Sequence, residues 1–314
     1  MKQKIKVVFI AGYGRSGSTL LDRVLGHALG ACSTGELRHI WERGYKENQL
    51  CGCGEKFHSC TFWQTILADW KDLSSINDID SIISLKNQVD RMRKVPALLF
   101  SSLQSPKYKK SYLLYSQALM SLYQTIQHHS HSETIIDSSK DPSYLYLLFA
   151  MSRDRLIDLH VVHLVRDSRA AAYSWLRSKK RPEIYWREEK MPVYSIPKSA
   201  AEWLVFNAII SISKFFLKNR YFFLRYEDFA LCPRQTLQRI FAFLRDTESV
   251  NSEFVEKEFQ LPIAHTVSGN PMRFENGKIS IRLDSEWTQK LPLSQKWFVN
   301  IITLPLLAAY GYQL

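Results

Sequence analysis

Residues 7–21 read Val7-Val-Phe-Ile-Ala-Gly12-Tyr-Gly-Arg-Ser-Gly-Ser-Thr19-Leu-Leu21, an apolar run that stops at a glycine and resumes as an amphipathic pattern. Short, β-branched and bounded by turn residues, Val7–Ala11 predicts a buried strand. A glycine-rich turn between a strand and a helix N-terminus presents backbone N–H groups and a positive dipole end to an anion. The spacing Gly12-x4-Gly17 matches a nucleoside-triphosphate P-loop, but Ser18 stands where that motif carries Lys. A phosphoryl-transfer loop needs that Lys and a Mg²⁺ site to handle a triphosphate's charge, so a kinase is the weaker reading. Arg15 is the cation this loop offers, and Ser16, Ser18 and Thr19 are its hydroxyl donors.

Outward from the loop, Thr134–Asp137, His160–Val165 and Tyr221–Leu224 read as further strands. Helical patterns separate them at Tyr112–His128 and at Ala201–Lys218, where Trp203, Phe206, Ile209, Ile210 and Phe216 recur at helical spacing. A final helix over Pro233–Leu244 sets Leu237, Ile240, Phe241 and Leu244 on one face. The expected fold class is α/β: a P-loop-like, doubly wound parallel sheet flanked by helices, with ligands at the C-terminal ends of its strands. Residues 40–130 are expected to be a mostly helical insertion, and 178–200 a surface loop near the acceptor site. No linker divides the chain, so residues 1–314 are expected to form one domain.

With 46% hydrophobic and 23% charged residues, the 314-residue chain can bury a sizeable core, which excludes disorder. A net charge of +12 favours anionic partners. The densest basic runs, Lys107-Tyr-Lys-Lys110 and Arg177-Ser-Lys-Lys-Arg181, are too short for a nucleic-acid arm. Lys2, Lys4 and Lys6 precede an apolar stretch too short for a signal peptide, and no run reaches bilayer-spanning length, since Leu304–Tyr312 is short and holds Pro305. The expectation is therefore a cytoplasmic protein with no membrane or nucleic-acid partner. Five cysteines, an odd number in a long chain, agree with a reducing compartment. Cys51, Cys53 and Cys60, with Cys32 as a fourth ligand, are an alternative metal set, but their spacing misses the paired C-x₂-C zinc pattern and no metal residue is assigned. His128, His129 and His131 sit beside Ser130 and Ser132 and read as a helix end.

The loop resembles the 5′-phosphosulfate loop of sulfotransferases that use 3′-phosphoadenosine 5′-phosphosulfate (PAPS). A sulfuryl group carries less negative charge than a terminal phosphoryl, so backbone N–H groups, hydroxyls and Arg15 suffice where a kinase needs Lys and Mg²⁺. The resemblance assigns Gly14, Arg15, Ser16, Gly17, Ser18 and Thr19 to the 5′-phosphosulfate. His163-Leu-Val-Arg-Asp-Ser-Arg-Ala170 is similar to the family's 3′-phosphate segment, which implies that Arg166 and Ser174 grip that phosphate. An Arg leaving a buried strand supplies the forked donor such a group needs. Ser138-Ser-Lys-Asp-Pro142 resembles the Lys-Asp-Pro of tyrosylprotein sulfotransferases, and Gly35-Glu-Leu37 their Gly-Glu segment. That likeness implies Glu36 as catalytic base, with Lys140 and Arg15 stabilising charge on the leaving oxygen. It also nominates Tyr226 as a nucleotide contact and Arg273 and Lys278 within a C-terminal segment closing over the 3′-phosphate, with Arg282 another cation there. The Cys-Gly-Cys-Gly run is then a structural feature shared with bacterial sulfotransferases of this layout. The implied reaction is sulfuryl transfer in line from PAPS, with 3′,5′-adenosine bisphosphate (PAP) as product and no metal required. Its acceptor is a hydroxyl or nitrogen of a small molecule in a secondary-metabolite tailoring step, for example a saxitoxin-like alkaloid. A non-catalytic nucleotide-binding module is the alternative of a different class.

Overall fold

The computed structural model describes residues 4–74, 76, 78–245 and 257–313. Strand β1 (Ile5–Ala11) leads through the glycine loop into α1 (Ser18–Ala28), followed by the two-residue β2 (Cys32–Ser33). A 3-10 turn at Leu37–His39, a π-helical turn at Ile40–Lys46 and helices α2 (Thr61–Leu73), α3 (Ile79–Val89), α4 (Val95–Leu99) and α5 (Pro106–Ser130) come next. Then follow β3 (Thr134–Lys140), α6 (Pro142–Arg153), β4 (Ile157–Val165), α7 (Ser168–Leu176), α8 (Ile196–Leu217), β5 (Tyr221–Arg225), α9 (Tyr226–Leu231) and α10 (Pro233–Leu244). A hairpin pair, β6 (Glu258–Leu261) and β7 (Gly277–Ser280), a short α11 (Trp287–Lys290) and α12 (Leu293–Ala309) close the chain. The stretch between β2 and β3 is helical, as expected of the insertion, and residues 177–195 form a loop.

The first five strands make one parallel sheet in the order β2-β3-β1-β4-β5. Side chains of β1 alternate between two cores: Ile5, Val7, Phe9 and Ala11 face α5 and α6, while Val8 and Ile10 face α1, α9 and α10. A strand buried on both sides reads as a continuous apolar run, which is why Val7–Ala11 shows no polar alternation. The α/β, doubly wound class inferred from the sequence is the one that forms.

Three readings are corrected. The last helix is α12, not α10. Phe216 of α8 is exposed, and the buried face of that helix runs through Ser199, Trp203, Asn207, Ile210 and Ser213. Scattered polar residues also disguised its length: Ile196–Arg220 is, among the described residues, the one helix long and apolar enough to cross a membrane by length and composition. Here it packs along α7 and α12 and on β4.

Candidate active site

Register collects the site at one edge of the sheet. Ala11 at the end of β1 pairs with Lys140 on β3 and with His163 on β4, so Gly12 emerges between Lys140 and Arg166. Ser33 pairs with Ile136, which carries Glu36, three residues on, to the end of β3. The chain crosses from one side of β1 to the other at this point, where open α/β sheets bind ligands.

The loop hugs its neighbours. Gly12 donates its N–H to the Lys140 carbonyl at 3.3 Å. Gly17 caps α1 at φ 90°, and a Cβ there would lie 2.6 Å from the Tyr226 ring, so the position needs glycine twice over. Arg15, itself at φ 69°, lays its guanidinium over Trp175 at 4.7 Å. Burial, and then Arg177 nearby, lower its pKa from the usual arginine value. Among the described residues, Nε and Nη2 of Arg15 and Oγ of Ser16 are buried without a protein partner. Thr19 accepts the Asn270 N–H at 3.1 Å, tying the C-terminal segment to the loop.

On the β4 side, Arg166 stacks over Tyr226 at 4.7 Å and donates to the Arg15 carbonyl at 3.2 Å. Its Nη2 meets the Asp284 carboxylate at 3.1 Å, and Arg177 meets the same carboxylate at 3.3 Å. Lys179 lies in this field too, its ammonium pKa lowered by burial and then by Arg15 and Arg177. Two arginines thus share one carboxylate, with Lys179 in its field. Ser174 is buried on α7, the helix that Arg166 leads into.

On the β3 side, Lys140, at φ 67°, donates to Glu36 at short range. Arg43 and His39 stand 3.8 Å from the same carboxylate, and Ser268 donates to it at 3.4 Å. Burial pushes the Glu36 carboxyl up, but Lys140 and Arg43 outweigh it and hold the group below the usual range. Arg38 fixes this corner, since its N–H donates to Ser139 at 3.0 Å and its guanidinium pairs with Asp90 at 2.6 Å and Asp141 at 3.3 Å. Asp141 in turn caps α6.

A sequence model described as "Sulfotransferase family" matches residues 7–247, a span that includes the loop, Glu36, Lys140 and Arg166. The chain belongs to the sulfotransferase family. The sulfotransferase domain of the Synechococcus PCC 7002 olefin synthase has the same fold, with a TM-score of 0.54 at 19% identity over 100% of this chain and 98% of that one. A sulfotransferase domain from the Curacin biosynthetic pathway gives 0.52 at 17% identity over 98% of both chains. No curated protein matches the sequence.

Two residues assigned from sequence lie elsewhere in this sulfotransferase. Arg273 is fully buried and donates to the Thr266 and Leu50 carbonyls at 2.6 Å each, so it braces the C-terminal segment on the Glu36 side. Lys278 sits on β7 in an exposed pair with Glu258 at 2.7 Å. The segment that does reach Arg166 is 282–284, through the Arg282 carbonyl on the Tyr226 hydroxyl (3.3 Å) and Asp284 on Arg166. Sequence reasoning missed Arg177, Lys179 and Asp284 here and Arg43, His39 and Ser268 at Glu36. The run Arg177–Arg181 is plain in the sequence, but nothing local ties it to Asp284, 107 residues on. Nor is Cys32 beside the other cysteines: it pairs with Ile135 on β3, and the partner of Cys51, Cys53 and Cys60 is His265.

Proposed function

We propose that this sulfotransferase takes PAPS as donor and sulfates a hydroxyl of a small-molecule acceptor, with Glu36 as the base. The observation that carries this is one strand edge where donors that are buried without acceptors among the described residues meet a carboxylate held ionised. Nε and Nη2 of Arg15, Oγ of Ser16 and Nε of Arg166 are such donors, and a doubly anionic end fits them. When bound, PAPS supplies an activated sulfuryl group on its 5′-phosphate. Gly14 to Thr19 would hold that end, Arg166, Arg177 and Ser174 the 3′-phosphate, and Tyr226 the nucleotide near Gly17.

Glu36 takes the acceptor's proton, and its low pKa keeps it ready to do so at neutral pH. Lys140, paired with Glu36 until an acceptor arrives, and Arg15 present fixed positive charge to an oxygen gaining negative charge, the role Mg²⁺ plays in kinases. Lys140 and Arg43 crowd Glu36, so a cationic guanidinium alkaloid is a poorer acceptor than a neutral or anionic hydroxylated molecule, while burial and the neighbouring cations keep His39 neutral. Loop 177–195 borders this space, with Met191 Sδ 3.2 Å from Arg15 Nη1. Small-molecule tailoring in a reducing, cytoplasmic setting suits an enzyme in which, among the described residues, no cysteine is in a disulfide.

The test is a PAPS-consumption assay over hydroxyl, phenol, amine and carbamoyl acceptors, without added Mg²⁺, followed by Glu36→Gln on the best acceptor. Gln keeps the size and a hydrogen bond but cannot take a proton. Turnover is expected to fall by about 10²–10⁴-fold while PAPS binding persists. Near-normal turnover in the variant would leave a nucleotide-binding module or a different base.

A further inference from the structure

Cys51, Cys53, Cys60 and His265 come from two distant parts of the chain, yet their four ligand atoms all lie within 4.8 Å of one another. Cys53 Sγ is 3.8 Å from Cys60 Sγ, and His265 Nδ1 is 3.2 Å from Cys60 Sγ and 3.9 Å from Cys51 Sγ. A disulfide needs about 2.05 Å between sulfurs. A tetrahedral ion at about 2.3 Å from sulfur and 2.0–2.1 Å from nitrogen needs edges of about 3.8 Å (S to S) and 3.5 Å (S to N). The observed spacings bracket the second geometry, and the Cys53 and Cys60 sulfurs are not bonded to each other.

The protein is built around these four groups. Cys51 and Cys60 are buried. The 51–54 turn is closed by the Gly54 N–H on the Cys51 carbonyl at 2.9 Å. Gly52 donates to the Thr266 carbonyl at 2.9 Å, and a Cβ on it would fall 2.3 Å from Thr266 Oγ1 and 2.5 Å from the Ala264 carbonyl, so only glycine lets the two segments touch. The His265 ring is stacked on Phe62 at 4.8 Å and 14°, and the Trp63 indole N–H donates to the His265 carbonyl at 2.9 Å. Three thiolates around a divalent ion leave one negative charge, and the fully buried Arg273 guanidinium is close to it, donating at 2.6 Å to the carbonyl of Leu50, the residue before Cys51. Three sulfurs and one imidazole in tetrahedral array select zinc, and four protein ligands leave no open position for chemistry.

We propose that Cys51, Cys53, Cys60 and His265 bind one Zn²⁺ as a closed structural site that pins residues 262–270 against the Glu36 corner. The residues after His265 reach that corner directly: Val267 donates to the Thr34 carbonyl at 2.9 Å, and Ser268 accepts from Arg43 at 2.6 Å. The metal site stands independently of the donor and base assigned above.

The full chain, purified in reductant, is analysed for metal content and then exchanged with Co²⁺. Expected are one zinc per chain, thiolate-to-cobalt charge-transfer bands with tetrahedral d–d bands, and a lower melting temperature after zinc is stripped, restored by Zn²⁺ but not Mg²⁺. Cys60→Ser and His265→Ala should lose the metal, whereas Cys32→Ala should keep it. If either variant fails to fold, zinc release from the wild-type protein on thiol mercuration, read with a chromophoric chelator, gives the same answer. Substoichiometric zinc after reconstitution in reductant, a different metal at full occupancy, or a Cys53–Cys60 disulfide in the freshly purified chain would overturn the proposal.

Discussion

Arg166 and Arg177 share the Asp284 carboxylate at 3.1 and 3.3 Å, so an anion entering that place competes with a side chain of the protein itself. Arg166 is mostly buried and stacked on Tyr226, which makes it a rigid donor whose loss is felt by whatever it grips. Arg166→Ala is therefore expected to weaken PAP by about 1.5–3 kcal/mol, the range for a charge-assisted hydrogen bond, and to leave AMP, which has no 3′-phosphate, nearly unchanged. Asp284→Asn should move PAP the other way, towards tighter binding, because no carboxylate then has to be displaced. Titration calorimetry with both nucleotides separates the cases. Equal weakening of PAP and AMP by Arg166→Ala would make the arginine structural, and weaker PAP binding by the Asp284 variant would make Asp284 part of the ligand site.

Helix α1 and strand β3 carry a second electrostatic feature beneath the loop. Asp22 on α1 and Asp137 on β3 are both buried, and burial pushes their carboxyls up to about 7 and about 6. Ser138 donates to Asp22 at 2.7 Å and Tyr123 to Asp137 at 2.9 Å, which lowers but does not cancel the effect. A carboxyl whose folded pKa is raised holds its proton in the native state after the unfolded chain has lost it. Stability should then fall as pH rises from about 4 to about 7 and level off above, a change of a few kcal/mol in order of magnitude. Glu36 acts in the opposite sense, since its lowered pKa adds stability that is lost only as acid protonates it in the fold. Urea denaturation at about pH 5 and about pH 8 should show the drop in the wild type and a much smaller one in Asp22→Asn. Parallel pH dependence in the two proteins would mean that Asp22 is not the group responsible.

Across the whole molecule, what the sequence revealed was what is local. Strand β1, the glycine loop and the strand-end arginine are contiguous patterns, and each lands where its pattern predicts, at the C-terminal edge of a parallel sheet. Strand β2 was missed because two residues carry no periodicity, and β7 because its outward residues are polar. The partners that come from afar were also unreadable. Asp284 lies 118 residues from Arg166, Ser268 lies 232 from Glu36, and His265 lies 205 from Cys60. No spacing in one sequence announces such contacts. Arg273 is nominated with Lys278 by the family resemblance, and its burial on the Thr266 and Leu50 carbonyls is again a long-range fact that no local pattern carries. The central claim, that this edge is built for a 3′-phosphorylated adenine nucleotide, is tested most directly by the melting temperature of the wild-type protein with saturating PAP and with saturating AMP. A ligand that binds only the folded state raises that temperature in proportion to its occupancy over its Kd. PAP is predicted to raise it well above the AMP value at equal concentration, and equal shifts by the two nucleotides, or none, would contradict the account.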